Sequence, residues 1–382
     1  MESLPGPDLE SGVWYRAGMP ASGHDDARTG SLRAGAAESR PLVIVNPKAG
    51  RGRTGRDLSH VLQALREGIG EIDVAPTSGP NAASALAAVA VAARRPLVVS
   101  VGGDGTLSEV ADGLMRGIAG EGRGAAASGG TAEQPGRGGP RPPALGLVAT
   151  GTGADFGRTL GIAPRIEAYL AAIAAGGERD LDVGLARFTG NDGRPAERYW
   201  VNVLSAGVGG LVDRYAATAP AFLGGRVAYG QAAVRGIVVC RRLRLRCAHV
   251  LPDGTAAERV LDTHAVAVCN GTTFGGGMNI APMARADDGL LEVVAFETRT
   301  RWRLVGRFLT VYAGTHTDEP GVNHFSCRSL RLEPLAAPHA APRGGLFPLD
   351  VDGEALGDVP LEVELLPRAL RVRAPAGRAG AT

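Results

Sequence analysis

The chain has 382 residues, 44% of them hydrophobic, which is enough for two cores of ordinary domain size and excludes disorder throughout. Its formal charge is only +2, so the basic footprint that phosphate-backbone binding requires is absent and no nucleic acid is expected as a partner. Cys240, Cys247, Cys269 and Cys327 form no C-x-x-C pair and no zinc spacing, and read as reduced core residues.

Residues 1–40 mix Gly, Ala, Ser, Pro and scattered charge without periodicity, and are expected to be a mobile arm. The start, Met1-Glu2-Ser3-Leu4-Pro5, lacks the regions of a signal peptide, and no apolar run of about 18 residues occurs. The expectation is a cytoplasmic chain that does not span a membrane, with peripheral contact left open.

Order begins at Pro41. Leu42–Val45 reads as a strand, followed by a glycine-rich turn and by Leu58, Val61, Leu62 and Leu65 at helical spacing, with Gly68 as a stop. Strand-like runs at Ile72–Ala75 and Leu97–Val101 enclose an Ala-rich helix over 81–93. A helix over 107–115 leads toward the apolar run 145–148, and residues 117–143, mostly Gly, Ala, Pro and Arg, read as a disordered surface insertion. Strands alternating with helices imply a doubly wound parallel sheet with ligands at the carboxyl ends of its strands.

From about Arg179 the texture changes to short alternating runs at 199–204, 242–250, 263–269, 290–296 and 361–366, which predict a mainly antiparallel, β-rich second domain. One helix, over 301–312, interrupts it. That helix mixes arginines with large apolar groups, which suits either an anionic membrane surface or, preferentially, a domain helix with snorkelling arginines. The domains expected are 41–165 and 166–374, followed by a loose tail over 375–382.

Chemistry concentrates in Gly102-Gly103-Asp104-Gly105-Thr106, which follows a strand and opens a helix, where phosphate-binding loops occur. Glycine there lets backbone N–H groups approach phosphate oxygens that a Cβ would obstruct. Thr106 and Glu109 have the spacing of a capping box. A carboxylate at Asp104 beside bare phosphates implies a divalent cation, Mg²⁺, between them. A second loop, Asn46 to Arg53, follows the first strand, and its Lys48 and Arg51 are candidates to neutralise a triphosphate, with Asn46 orienting the turn or the nucleotide. A third, Thr150-Gly151-Thr152-Gly153-Ala154-Asp155, again sits between strand and helix. In the second domain the Asp287-Asp288-Gly289 and Asp350-Val351-Asp352-Gly353-Glu354 segments read as turns first, with Asp352 and Glu354 as candidates to orient or deprotonate an acceptor hydroxyl.

The order of these elements resembles the catalytic domain shared by diacylglycerol kinases, sphingosine kinases and related bacterial lipid kinases. The resemblance runs from about Leu42 to about Val372 and rests on the Asn46-Pro47 loop, Gly102 to Thr106, Gly151-Thr152-x-x-Asp155-Phe156, Ala281-Pro282 with Asp288-Gly289, and Asp352-Gly353-Glu354. It implies an α/β nucleotide domain, a β-rich (β-sandwich-like) domain, and a cleft where ATP meets a lipid hydroxyl. It places nucleotide contacts on Asn46, Thr77, Gly102 to Thr106 and Thr152. It implies a structural Mg²⁺ site of the Asp288 side chain with the carbonyls of Arg285 and Leu290, and Glu354 as proton acceptor with Asp352 beside it. The acceptor it implies is diacylglycerol, ceramide or a sphingoid base at a membrane surface, and a homodimer is compatible with it. The family's third loop reads Gly-Thr-x-Asn-Asp, and Ala154 stands here in place of the Asn. An NAD kinase shares a Gly-Gly-Asp-Gly loop but needs an Asn-Glu element, and the chain has no Asn-Glu pair. A homologue that binds nucleotide or lipid without turnover is the remaining alternative.

Overall fold

A computed structural model of the protein describes residues 40–127, 141–151, 153–217, 225–298, 300, 302–335 and 347–376. The expected arm up to residue 39, the insertion over 128–140, the end of the tail and Thr152 lie outside the described residues. The chain divides into two compact units. The first takes the chain up to Gly151, Gly161–Arg179 and the chain from Leu370; the second takes Thr152–Leu160 and Asp180–Ala369.

In the first unit β1 (Leu42–Val45), β2 (Asp73–Pro76), β3 (Leu97–Gly102) and β4 (Ala144–Ala149) form a parallel sheet in the order β2-β1-β3-β4. β1 and β3 are buried along their whole length, as expected of near-continuous apolar runs with a strand on either side. Helices α1 (Arg53–Ile69), α2 (Ala82–Ala92) and α3 (Asp104–Ala127) connect the strands. After α4 (Asp155–Thr159), which counts with the second unit, α5 (Ile166–Ala175) returns to pack on α1, while α2 packs on α3. The chain leaves β1 in one direction to reach β2 and in the other to reach β3, so the switch point of the sheet lies between β1 and β3.

The helix after the glycine loop corrects the sequence reading. α3 runs on to Ala127 instead of giving way to an insertion at Gly117. A Cβ on Gly113 would lie 2.0 Å from the Ser84 carbonyl oxygen, and one on Gly117 would lie 2.8 Å from Val91 Cβ. These glycines, one turn apart, let α3 approach the Ala-rich α2 and are contact points, not breakers. The expected capping box also fails. α3 already begins at Asp104, and Glu109 instead accepts the backbone N–H groups of Asn81 (3.0 Å) and Ala83 (3.1 Å) at the start of α2.

In the second unit the strands are β5 (Glu178–Gly190), β6 (Pro195–Trp200), β7 (Val203–Gly207), β8 (Leu243–Val250), β9 (Ala256–Thr263), β10 (Ala265–Cys269), β11 (Leu291–Phe296), β12 (Val322–Cys327), β13 (Ser329–Pro334), β14 (Pro348–Val351) and most of β15 (Glu354–Arg373). β12-β11-β10-β7-β14-β15 is an antiparallel path, and β13, β8 and β9 continue antiparallel from β15. Side chains alternate between two cores with the period of the strand. Leu204, Val266, Val268 and Val293 enter one, and Val203, Ala267, Cys269 and Val294 enter the other. The second core is completed by helices α6 (Val208–Ala217), α7 (Gly225–Val239) and α8 (Trp302–Ala313). All four cysteines are free and buried, and burial pushes the Cys247 thiol up to about 11 and that of Cys327 to about 12. Among the described residues no helix is long and apolar enough to cross a membrane.

The sequence reading joined 199–204 into one strand and missed α6 and α7. β6 in fact ends at Trp200 and β7 begins at Val203, because a carboxylate described below takes the backbone N–H groups at the break. α7 leaves little trace because it is apolar on two opposite sides, which removes the 3.6-residue stripe.

Candidate functional site

In the first unit the predicted nucleotide residues gather at the switch point. The Asn46 N–H donates to the Val101 carbonyl (3.0 Å), so the loops after β1 and β3 leave the sheet side by side. Asn46 Nδ2 donates to Thr106 Oγ1 (3.2 Å), and its Oδ1 accepts the Lys48 N–H (3.1 Å). One side chain thereby fixes its own turn and reaches into the glycine loop. Gly102 must be glycine, because a Cβ there would sit 2.5 Å from Thr106 Oγ1. An added Cβ at Gly103 meets no described atom within 4 Å, so that side of the loop is open.

The third loop closes against the same place. The Thr150 N–H donates to the Gly102 carbonyl (2.8 Å), and a Cβ on Gly151 would come within 3.1 Å of Gly103 Cα. Thr77 follows β2 and donates its N–H to the Val45 carbonyl (2.8 Å). Lys48 is exposed, and Arg51 lies in the short turn Ala49–Gly52 that leads into α1. Asp104 and Gly105 form the first turn of α3, with the positive end of the helix dipole at the glycine loop.

The second unit holds the remaining candidates. Asp352 (φ +50°) and Gly353 (φ +89°) form the tight turn between β14 and β15, and Asp350 Oδ1 accepts the Gly353 N–H (2.7 Å). The Asp352 carboxylate is committed: Oδ2 accepts the N–H of Val201 (2.9 Å), and Oδ1 accepts those of Asn202 and Val203 (3.0 Å each). Burial pushes its carboxyl up, against the pull of those three bonds and of Arg198. Asp352 is thus a fixed anchor between the turn and the β6–β7 break. Glu354, two residues on, is half-buried and pairs with Arg198 (3.2 Å), a partner the sequence did not announce.

Asp288 sits in a turn tied down by another residue the sequence reading missed. Asp182, fully buried, accepts the N–H of Gly289 (2.7 Å) and of Arg368 (2.8 Å), while Asp288 Oδ1 accepts the Leu290 N–H (3.0 Å). Burial raises both carboxyls, and nearby charge adds to it, from Asp287 on Asp182 and from Asp182 and Glu292 on Asp288. Among the described residues no three His, Cys, Asp or Glu side chains converge as a metal cage. One carboxylate with turn carbonyls, close to the carboxylates of Asp182 and Glu292, is nevertheless a donor set that suits a hard cation.

The end of the third loop belongs with this unit. Ala154 caps α4 in a left-handed conformation (φ +54°), a backbone that Asn adopts more readily than Ala. Asp155 pairs with Arg158 (2.9 Å) and accepts the Gly276 N–H (2.8 Å), while Thr159 donates to Asn202 Oδ1 (3.1 Å). Gly275, Gly276 and Gly277, all at positive φ, form the tip of a hairpin closed by paired bonds between Phe274 and Met278. The run of three glycines after Phe274 was the sequence signal for this hairpin.

A parallel α/β unit with glycine-rich loops at its switch point, joined to a β-sandwich-like unit with turn-held carboxylates, defines a two-unit protein of the diacylglycerol kinase type. Residues 40–186 match the diacylglycerol kinase catalytic domain, and residues 202–374 match the YegS C-terminal NAD kinase beta sandwich-like domain. The chain belongs to the diacylglycerol kinase catalytic-domain family, with a YegS-like C-terminal domain. It is 25% identical over 337 residues to a diacylglycerol kinase of Staphylococcus aureus, covering 88% of this chain and 92% of the relative. It is 28% identical over 287 residues to the "Probable lipid kinase YegS-like" of Chromohalobacter salexigens, covering 74% of this chain and 77% of that one. A crystal structure of a diacylglycerol kinase from Bacillus anthracis str. Sterne has the same fold, with a TM-score of 0.59 at 19% identity over 88% of this chain and 97% of that one.

Proposed function

We propose that the protein transfers the γ-phosphoryl group of ATP to the hydroxyl of a lipid of the diacylglycerol, ceramide or sphingoid-base type. The observation that carries the lipid acceptor is an apolar cavity inside the second unit. Val208, Val212, Ile237, Phe274, Phe296 and Leu304 contribute to its wall, and only Ser205 and Arg307 bring polar side chains. Ser205 lies on β7 opposite Asp350 of β14, the strand that runs into the Asp352–Glu354 turn. An apolar chain held in this cavity would therefore belong to a molecule whose polar end is served by that turn.

In this reading the glycine loop and the start of α3 bind the phosphates, Lys48 and Arg51 offset their charge, and Asn46 and Thr77 orient the nucleotide. Glu354 accepts the proton as the lipid oxygen forms its bond to the γ-phosphorus and the bond to ADP breaks. Arg198 orients that carboxylate, and Asp352 holds the turn that carries it. Mg²⁺, held by Asp104 with the phosphates, would neutralise charge on the transferring group. A second, structural cation would lie on Asp288 and the carbonyls of Arg285 and Leu290.

Labelled ATP offered with a panel of dispersed lipid alcohols tests the reading. Phosphorylation of at least one member, lost in Glu354→Gln while nucleotide affinity stays near the parent value, is the expected result. Tight ATP binding without transfer to any member would leave only the binding protein.

A further inference from the structure

We infer that Asp155, at the end of the third glycine loop, is a positioning residue for the lipid acceptor: its carboxylate fastens the hairpin 274–278, which forms a wall of the apolar cavity. The inference rests on the lipid-acceptor reading for what the cavity holds.

By sequence Asp155 closes a loop whose Thr152 is expected at the nucleotide. The fold commits it elsewhere. α4, which Asp155 opens, counts with the second unit. Asp155 Oδ1 pairs with Arg158 (2.9 Å) and Oδ2 accepts the Gly276 N–H (2.8 Å), so both oxygens are engaged inside that unit. Its carbonyl accepts the Thr273 hydroxyl (3.0 Å), and at the other end of the helix Thr159 Oγ1 accepts the Thr272 N–H (3.1 Å). α4 thus holds the hairpin both at its entry and at its tip.

The tip depends on that hold. Gly275, Gly276 and Gly277 have φ of +60°, +82° and +105°, a backbone that glycine alone adopts freely. A Cβ added at Gly276 would meet no described atom within 4 Å, and one at Gly277 would meet only Arg158, at 3.8 Å. With no side chains to pack, the tip is fixed by hydrogen bonds, and the one to Asp155 is charge-assisted. Below the tip Phe274 and Met278 exchange backbone bonds (3.0 and 2.9 Å), and both side chains line the cavity. The exit is tied to α8, where the Val311 carbonyl accepts the Asn279 N–H (3.1 Å) and Val311 itself lines the cavity. Releasing the tip therefore loosens two side chains of the cavity wall, and an acceptor must then order them as it binds. None of these bonds reaches Gly102 to Thr106, so the nucleotide loop is left as it was.

A carboxylate that acted through its charge, on a cation or a phosphate, would behave differently on substitution. Asn removes the charge but keeps a carbonyl oxygen for the Gly276 N–H, with its amide turned toward Arg158, whose side chain is 30% exposed and can swing into water. Ala removes the acceptor altogether.

Steady-state kinetics with the lipid that the parent phosphorylates best, together with calorimetric titration with ATP, tests the role. Asp155→Ala is expected to raise KM for the lipid about tenfold or more, the worth of one charge-assisted hydrogen bond. Its kcat and ATP affinity should stay within about twofold of the parent. Asp155→Asn should remain within about threefold of the parent in all three quantities, because a neutral oxygen still holds the tip. Weakened ATP binding in Asp155→Ala, or an Asn variant as impaired as the Ala variant, gives Asp155 a charge role at the nucleotide and overturns the proposal. So does a parent-level KM in Asp155→Ala. Should that variant not fold, amide exchange in the parent decides. The N–H groups of Phe274, Gly276 and Met278 should exchange more slowly with micelle-dispersed sphinganine or dioleoylglycerol than with empty micelles, and at an unchanged rate with ATP. Exchange that neither lipid slows overturns the proposal. A parent that phosphorylates no lipid but shows this exchange pattern keeps the hairpin assignment and loses the kinase reading. Turnover of a lipid with a KM indifferent to Asp155→Ala does the reverse.

Discussion

Replacing Asp352 by Asn tests whether this residue is an anchor or a proton-transfer group. Its two oxygens accept three buried N–H groups, from Val201, Asn202 and Val203. The amide of Asn keeps the Oδ1 contacts but turns a second donor toward the Val201 N–H, so one bond is lost and a buried donor is left without an acceptor, at about 1–3 kcal/mol. The two surviving bonds change from charge-assisted to neutral, which adds about 1 kcal/mol. A total near 2–4 kcal/mol corresponds to a fall in melting temperature of roughly 5–15 °C for a unit of this size. Trp200, fully buried and adjacent to Val201, is the fluorescence reporter of the unfolding step. Glu354→Gln should leave the same transition within about 0.5 kcal/mol, as expected of a half-buried side chain whose loss is felt in the reaction. An Asp352→Asn protein that melts with the parent would refute the anchor assignment.

Three further outcomes follow from the geometry. Gly102→Ala should destabilise the first unit by about 1–3 kcal/mol, because Thr106 must move, whereas Gly103→Ala should fold like the parent and lose nucleotide affinity; calorimetric titration with ATP separates the two, and unchanged affinity in Gly103→Ala removes the loop from the nucleotide site. Asp182 and Asp288 have carboxyls raised above the ordinary value of 3.8, so their contribution to stability is complete below that pH and is lost as pH rises through their folded-state values. Asp288→Asn should therefore raise the melting temperature near neutral pH and not at about pH 4, and should remove stabilisation by Mg²⁺; a variant that melts lower at both values contradicts the repulsion argument. Ala154→Asn should gain about 0.5–1 kcal/mol by easing the left-handed backbone, with Ala154→Gly as the control for space, and thermal melts showing a loss in both would mean that the position carries no strain.

The readable parts of this molecule were those whose partners lie close in sequence. β1, β3 and the glycine loop announce themselves because an apolar strand, a turn and a helix start follow one another within a dozen residues. The Asp352–Glu354 turn was visible for the same reason. The anchors were not: Asp182 serves Gly289 and Arg368, and Asp352 serves Val201 to Val203, contacts that no local pattern encodes. Gly117 was misread because glycine in a sequence looks the same whether it breaks a helix or lets two helices touch. α7 escaped because a helix apolar on both sides has no stripe.

Glu109 alters how the phosphate loop is to be understood. Its position three residues after Thr106 would have made it an anion seated on the start of its own helix. By reaching across to the N-H groups of α2 instead, it satisfies the neighbour's positive end and is withdrawn as a competitor for the first turn of α3. The start of α2 is thus sealed by a carboxylate from the neighbouring helix, and the acidic residue in the first turn of α3 is Asp104, not Glu109.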